Sequence, residues 1–168
     1  MTTHDFGTGP VPAHQHSNGG GWIADTATVA ETAYVGPNAK IFGNARICND
    51  AQIYGNAQIY NNARIYGNAQ IYGYAQIYGN SLICDDALIY DNARISNPND
   101  ILWGHLGGFN FTAYKLQNGS VFLQYGCEGH DLQAWEGLHE KLALKHNKPG
   151  YEKWTYMATH WVKEALAA

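Results

Sequence analysis

Eight histidines and three cysteines are the side chains of this chain best suited to chemistry, and their positions limit what that chemistry can be. His14 and His16 alternate on an extended segment, so they share a face and could ligate a metal ion, but no third ligand stands nearby in the sequence. Cys127 and His130 make a thiol–imidazole pair of the kind that generates a nucleophile, without an identifiable third group to orient the ring. His105, His139, His146 and His160 read as surface or helix-face residues, and Lys145-His146 suits the negative end of a helix. Cys48 and Cys84 read as small packing residues. An odd cysteine count, with no apolar leader before Trp22, points to free thiols, a reducing compartment and a cytoplasmic protein. We therefore expect no catalytic residue, no metal and no cofactor.

Between Gly21 and Gly104 there is no histidine at all, because the segment is occupied by a repeat. From Ile41 the chain reads IFGNAR, ICNDAQ, IYGNAQ, IYNNAR, IYGNAQ, IYGYAQ, IYGNSL, ICDDAL, IYDNAR. Backwards the frame runs through VGPNAK, VAETAY and IADTAT; forwards it decays at ISNPND. Every first position from Ile23 to Ile101 is Ile or Val, and nearly every fifth is Ala, with Ser81 and Asn99 as exceptions. In Ala-Gln-Ile-Tyr, small and aliphatic residues alternate with polar and aromatic ones, which puts Ala and Ile on one face of a short strand. The Gly-Asn that follows tolerates positive φ and turns a corner at little cost. Strand plus corner is one side of a polygon. One Ile and one Ala per side fill a narrow interior, so three sides fit the volumes and one coil takes eighteen residues. The hexads from Ile23 to Arg94 then make four coils, rising roughly 19 Å at the usual strand spacing.

Residues eighteen apart stack in such a coil. The outward columns are Phe42, Tyr60, Tyr78; Cys48, Tyr66, Cys84; and Tyr54, Tyr72, Tyr90. Cys48 and Cys84 would lie roughly 9–10 Å apart, too far for a disulfide. Stacked rings stabilise adjacent strands by about 0.2–1 kcal/mol per pair. Contiguous exposed aromatic area is also what interfaces are made of. We expect at least one tyrosine ladder to be covered by another subunit or by the chain's own C-terminal segment.

The repeat resembles the hexapeptide-repeat family, and the likeness covers about half the chain. The resemblance implies a left-handed parallel β-helix and a homo-oligomer, most often a trimer. Many members are acyltransferases whose base is a histidine at a groove between subunits. Here the coils carry no histidine, the nearest being His105 and His130, and the substrate loop that often interrupts such rods is absent. Carbonic anhydrases on this rod bind zinc through three histidines of adjacent coils, which this chain lacks.

Outside the rod, residues 1–21 read as a flexible lead-in, 22–101 as the β-helix and 102–168 as a C-terminal module. In that module Asn118-Gly119 predicts a hairpin of Phe109–Leu116 with Ser120–Tyr125. Asp131 caps a helix running to His146, with Leu132, Trp135, Leu138 and Leu142 as its apolar stripe. After a break over 147–150, a second helix from Tyr151 to Leu166 carries Trp154, Ala158, Trp161, Val162 and Ala165 on one face. The expected fold is mainly β: a left-handed parallel β-helix of about four coils plus a C-terminal α/β cap of one hairpin and two helices. The Gly126-Cys127 pair and the helix ending in Lys145-His146 are similar to tails that follow hexapeptide rods in bacterial and phage-encoded proteins.

The net charge of −4, the absence of a long apolar run, and the interleaving of Asp50, Asp85, Asp86 and Asp91 with Arg46, Arg64 and Arg94 argue against membrane and nucleic-acid partners. The expected function is non-catalytic recognition of a protein partner by an oligomeric scaffold, with modulation of a host factor implied by the phage-like tail. Small-molecule or nucleotide binding at subunit junctions is the first alternative, with Trp103, Trp135 and Trp154 as stacking rings. Acyl transfer is the second. The expected interface residues are Tyr54, Tyr72, Tyr90, Tyr60 and Tyr78.

Overall fold

The computed structural model describes residues 2–147 and 150–166. The chain divides into two compact units, 1–98 and 99–168. In the first, strands β1 (Thr3–Asp5) and β2 (Pro10–Gln15) precede β3 (Trp22–Ala24), and two-residue strands then follow every six residues from β4 (Thr28–Val29) to β15 (Arg94–Ile95). They assemble as three parallel sheets, β3-β6-β9-β12-β15, β4-β7-β10-β13 and β5-β8-β11-β14. Partners are eighteen residues apart: Ile41 pairs with Ile59, Ile47 with Ile65 and Ile53 with Ile71. The rod is thus a parallel β-helix of about four turns.

Its interior follows from the alternation. From Ala39 to Ile95 the inward Ile of every hexad and its small partner, Ala throughout except for Ser81, are at most 1% exposed, so the three walls close on a solid core with no lumen. The corners follow from local sterics. The third residue of nine successive hexads is left-handed, with φ between 57° and 73°, and it is always Gly, Asn or Asp. Backbone bonds such as Gln58 N–H to Ala75 C=O (2.9 Å) and Asn56 N–H to Gly73 C=O (2.8 Å) join successive coils on the flats and at the corners.

Where the sequence suggested a flexible lead-in, the structure has an antiparallel hairpin. β1 pairs with β2, and β2 pairs with β3, so the hairpin covers the first edge of one wall. Its turn is built on Asp5, whose carboxylate accepts from the Gly7 N–H (2.7 Å) and the Gly9 N–H (3.0 Å). Those bonds hold the acid below its ordinary pKa. Phe6, Ala13 and Ala24 form a small core beneath it. Short-range glycines around a polar loop resemble a disordered lead-in until the partner strand, far along the coil, is present.

The second unit is larger than one hairpin and two helices. A short 3-10 turn, Pro98–Asp100, leads into it. β16 (Ile101–Leu106), β17 (Phe109–Lys115), β18 (Val121–Tyr125) and β19 (Glu128–Asp131) form an antiparallel meander, with the predicted Asn118-Gly119 turn between β17 and β18. Three helices follow: α1 (Leu132–Trp135), α2 (His139–His146) and α3 (Tyr151–Leu166). Asp131 caps α1 through the Gln133 N–H at 3.0 Å, as expected. The expected single helix to His146 breaks after one turn, because Gly137 and Leu138 bond three residues back and the Trp135 indole is pinned to the Leu123 carbonyl at 2.9 Å. Residues 148 and 149 of the expected break lie outside the described residues. A separate core of Phe111, Leu123, Tyr125, Trp135, Leu142 and Val162 holds this unit together. The buried face of α3 is Tyr151, Thr155, Ala158, Thr159, Val162 and Leu166. Trp161, expected on that face, is 49% exposed.

Candidate functional site

On the rod, aromatic stacking forms on two of the three walls. Phe42, Tyr60 and Tyr78 stack at 4.9 and 5.1 Å, and Tyr54, Tyr72 and Tyr90 at 4.9 and 5.2 Å, all within 10° of parallel. The third column has Tyr66 between two half-buried free thiols, Cys48 and Cys84, and builds no ladder. Burial raises the pKa of Tyr54, Tyr72 and Tyr90, the last to about 12.

The wall that carries Tyr54 has a distinctive chemistry. Its outward strand positions are Tyr34, Gln52, Gln70 and Leu88 in one row and Gly36, Tyr54, Tyr72 and Tyr90 in the next. None is charged, whereas the other two walls present Lys40 and Arg94, and Arg46 and Arg64, at equivalent places. Tyr74 replaces the corner Asn of its hexad two residues after Tyr72 and is 65% exposed. The hexad alignment carried this signal as the one aromatic residue at a fourth position, and sequence reading passed over it.

The tryptophans expected to stack a ligand are otherwise engaged. Trp135 is fully buried and part of the core. The Trp154 ring packs against Gly107, where a Cβ would overlap it, and Lys153 lies over the ring at 5.2 Å. Trp103 is half-buried on β16 opposite Thr112. His105 is exposed and bonded to Asn110 at 2.9 Å. His14 pairs with Asp25 at 2.8 Å, while His16 is buried against the Asn18 backbone, so both serve the N-terminal hairpin.

A second constellation lies in the C-terminal unit. Gly126 and Cys127 form the turn between β18 and β19, with Gly126 at φ 58°. Glu128 and His130 follow two residues apart, hence on one face of β19. Lys145 and His146 in the last turn of α2 reach the same carboxylate: Lys145 Nζ is 2.6 Å and His146 Nε2 2.7 Å from Glu128 Oε1, while His130 Nε2 is 3.5 Å from Oε2. Ligand atoms of Cys127, Glu128 and His146 all lie within 4.8 Å of one another. Lys145 is the first of the partners that hold Glu128 below its ordinary pKa. Tyr151 stacks on His146 at 4.9 Å. Burial, followed by the charges of Cys127 and Glu128, pushes its phenol to about 12. The imidazole that shares a cluster with Cys127 is therefore His146, with Glu128 between them, rather than the His130 expected from spacing. His146 is the residue that sequence reading placed on the surface, and only the return of α2 to β19 reveals its partner.

Coiled parallel walls, a solid core and left-handed corners define a β-solenoid, and the chain is of the parallel β-helix class. Residues 57–73 match the family model described as the YdcK beta solenoid repeat. No curated protein and no solved structure matches the chain. No helix among the described residues is long and apolar enough to cross a membrane.

Proposed function

We propose that this protein is a non-catalytic binding scaffold that assembles with copies of itself, most simply as a trimer, and uses its rod to recognise a protein partner. The uncharged wall of Tyr34, Tyr54, Tyr72, Tyr90, Gln52 and Gln70 carries the proposal. Interface centres are depleted of charge and enriched in tyrosine, and one wall of three meets that description. A ladder of rings locked by its neighbours also loses little side-chain entropy on docking. The filled interior leaves the outer walls as the rod's binding surface.

Solution mass by light scattering tests the assembly. Wild-type chain is expected at three times its 18.5 kDa mass. The Tyr54→Ala/Tyr72→Ala/Tyr74→Ala variant should be monomeric with its rod still folded. A wild-type monomer at tens of micromolar, or a triple variant that still assembles, would remove this wall as the interface.

A further inference from the structure

We propose that Cys127, Glu128 and His146 form a binding site for a divalent transition-metal ion of the zinc type, with the fourth position left to water. One thiol, one carboxylate and one imidazole within 4.8 Å of one another are the mixed sulfur, oxygen and nitrogen donors that such ions select. Calcium and magnesium prefer oxygen alone and fit poorly. The adjacent Cys127 and Glu128 can face one point because Cys127 sits in a turn, outside the alternation that would send neighbours on a strand to opposite faces.

An ordinary salt bridge accounts for Lys145 on Glu128 but not for the rest. A surface pair needs no thiol or imidazole on the same carboxylate. Glu128 is 8% exposed, while Lys145 stays largely in solvent and can swing away. Two polar atoms at the cluster are buried without a hydrogen-bond partner among the described residues: the His130 Nε2 and the Tyr151 hydroxyl. Tyr151 as a residue is only 2% exposed and its ring lies on His146. A buried, unpartnered hydroxyl carries a desolvation cost that a metal-bound water would offset. Cys127 is exposed, which leaves a path for the ion. On binding, Cys127 gives its thiol proton to solvent, Lys145 leaves Oε1, the proton that His146 Nε2 donates to Oε1 passes by way of solvent to Nδ1 and frees the Nε2 lone pair, and the thiolate and carboxylate charges balance the ion's two positive charges.

The test is titration of the reduced full-length protein with Co²⁺. A thiolate-to-cobalt charge-transfer band should appear and saturate at one equivalent, and Zn²⁺ should abolish it. Cys127→Ala, a change at an exposed turn that leaves the melting curve intact, should lose the band. His146→Gln should weaken binding by at least about tenfold, and Cys48→Ala/Cys84→Ala should retain the band in full. Absence of the band in the wild type, its persistence in Cys127→Ala, or its loss only when His14 and His16 are replaced would overturn the site.

Discussion

The ring of Phe6 stacks on that of Phe42 at 5.0 Å, although the two belong to different kinds of structure. Phe42 starts the column that continues through Tyr60 and Tyr78, and the first coil offers only Ala24 at the equivalent place. The N-terminal hairpin fills that gap with Phe6, which is 7% exposed, and so extends the ladder by one ring. Phe6→Ala should cost the cap about 3 kcal/mol. Hydrogen exchange of the β2 amides that bond to β1 and β3 should accelerate while that of β9 to β12 holds; unchanged protection of β2 would show that the stack contributes nothing.

Ser81 occupies an alanine position in the rod wall and is fully buried, with its hydroxyl unpartnered among the described residues. Removing a desolvated, unsatisfied hydroxyl favours the folded state. Ser81→Ala should stabilise the rod by about 1 kcal/mol, seen as a higher denaturation midpoint with unchanged denaturant dependence. A lower midpoint would mean that the hydroxyl has a partner in solution.

Gly67 sits at a corner with φ +73°, where a Cβ would come 2.8 Å from the Asp85 backbone of the next coil. Both the left-handed conformation and the contact oppose a side chain, so Gly67→Ala should destabilise by about 1–2 kcal/mol or more. Gly108, also left-handed but in open space, should pay the conformational cost alone. Equal losses at both sites in equilibrium unfolding would show that corner stacking adds nothing.

Tyr125 is buried and donates to the Leu106 carbonyl at 2.7 Å. Burial raises its pKa from 10.0 to about 12. The folded state therefore holds this proton more tightly than the unfolded chain. The corresponding stability is complete below about pH 10 and is lost as pH rises toward 12. Alkaline titration should show phenolate absorbance rising together with loss of near-ultraviolet dichroism, and Tyr125→Phe should shrink that step. A wild-type minus Tyr125→Phe difference titration centred near pH 10, with the dichroism intact, would contradict the burial.

The acid limb is set in part by Asp5, whose pKa lies below its ordinary 3.8 because it accepts from the Gly7 and Gly9 amides. The deprotonated form is favoured in the folded hairpin. Its support is present above pH 3.8 and is lost as pH falls through the lower folded value. An Asp5 titration midpoint at or above 3.8, followed by NMR, would argue against the turn.

The rod was legible from residues alone because its rules are local. A period of six with an aliphatic that never fails leaves one way to bury Ile and Ala, and corner residues of Gly, Asn or Asp announce positive φ before any coordinate is seen. The 17-residue family match falls inside that repeat. The Asn118-Gly119 hairpin and the Asp131 cap were legible for the same reason, since each depends on neighbours within a few residues. What tertiary structure alone decided involves partners far apart in the chain. Phe6 needs Phe42, the broken helix needs the Leu123 carbonyl, and the Glu128 cluster needs His146 brought back from the end of α2. A sequence displays spacing along the chain, but burial and the meeting of distant side chains exist only once packing has chosen which faces touch.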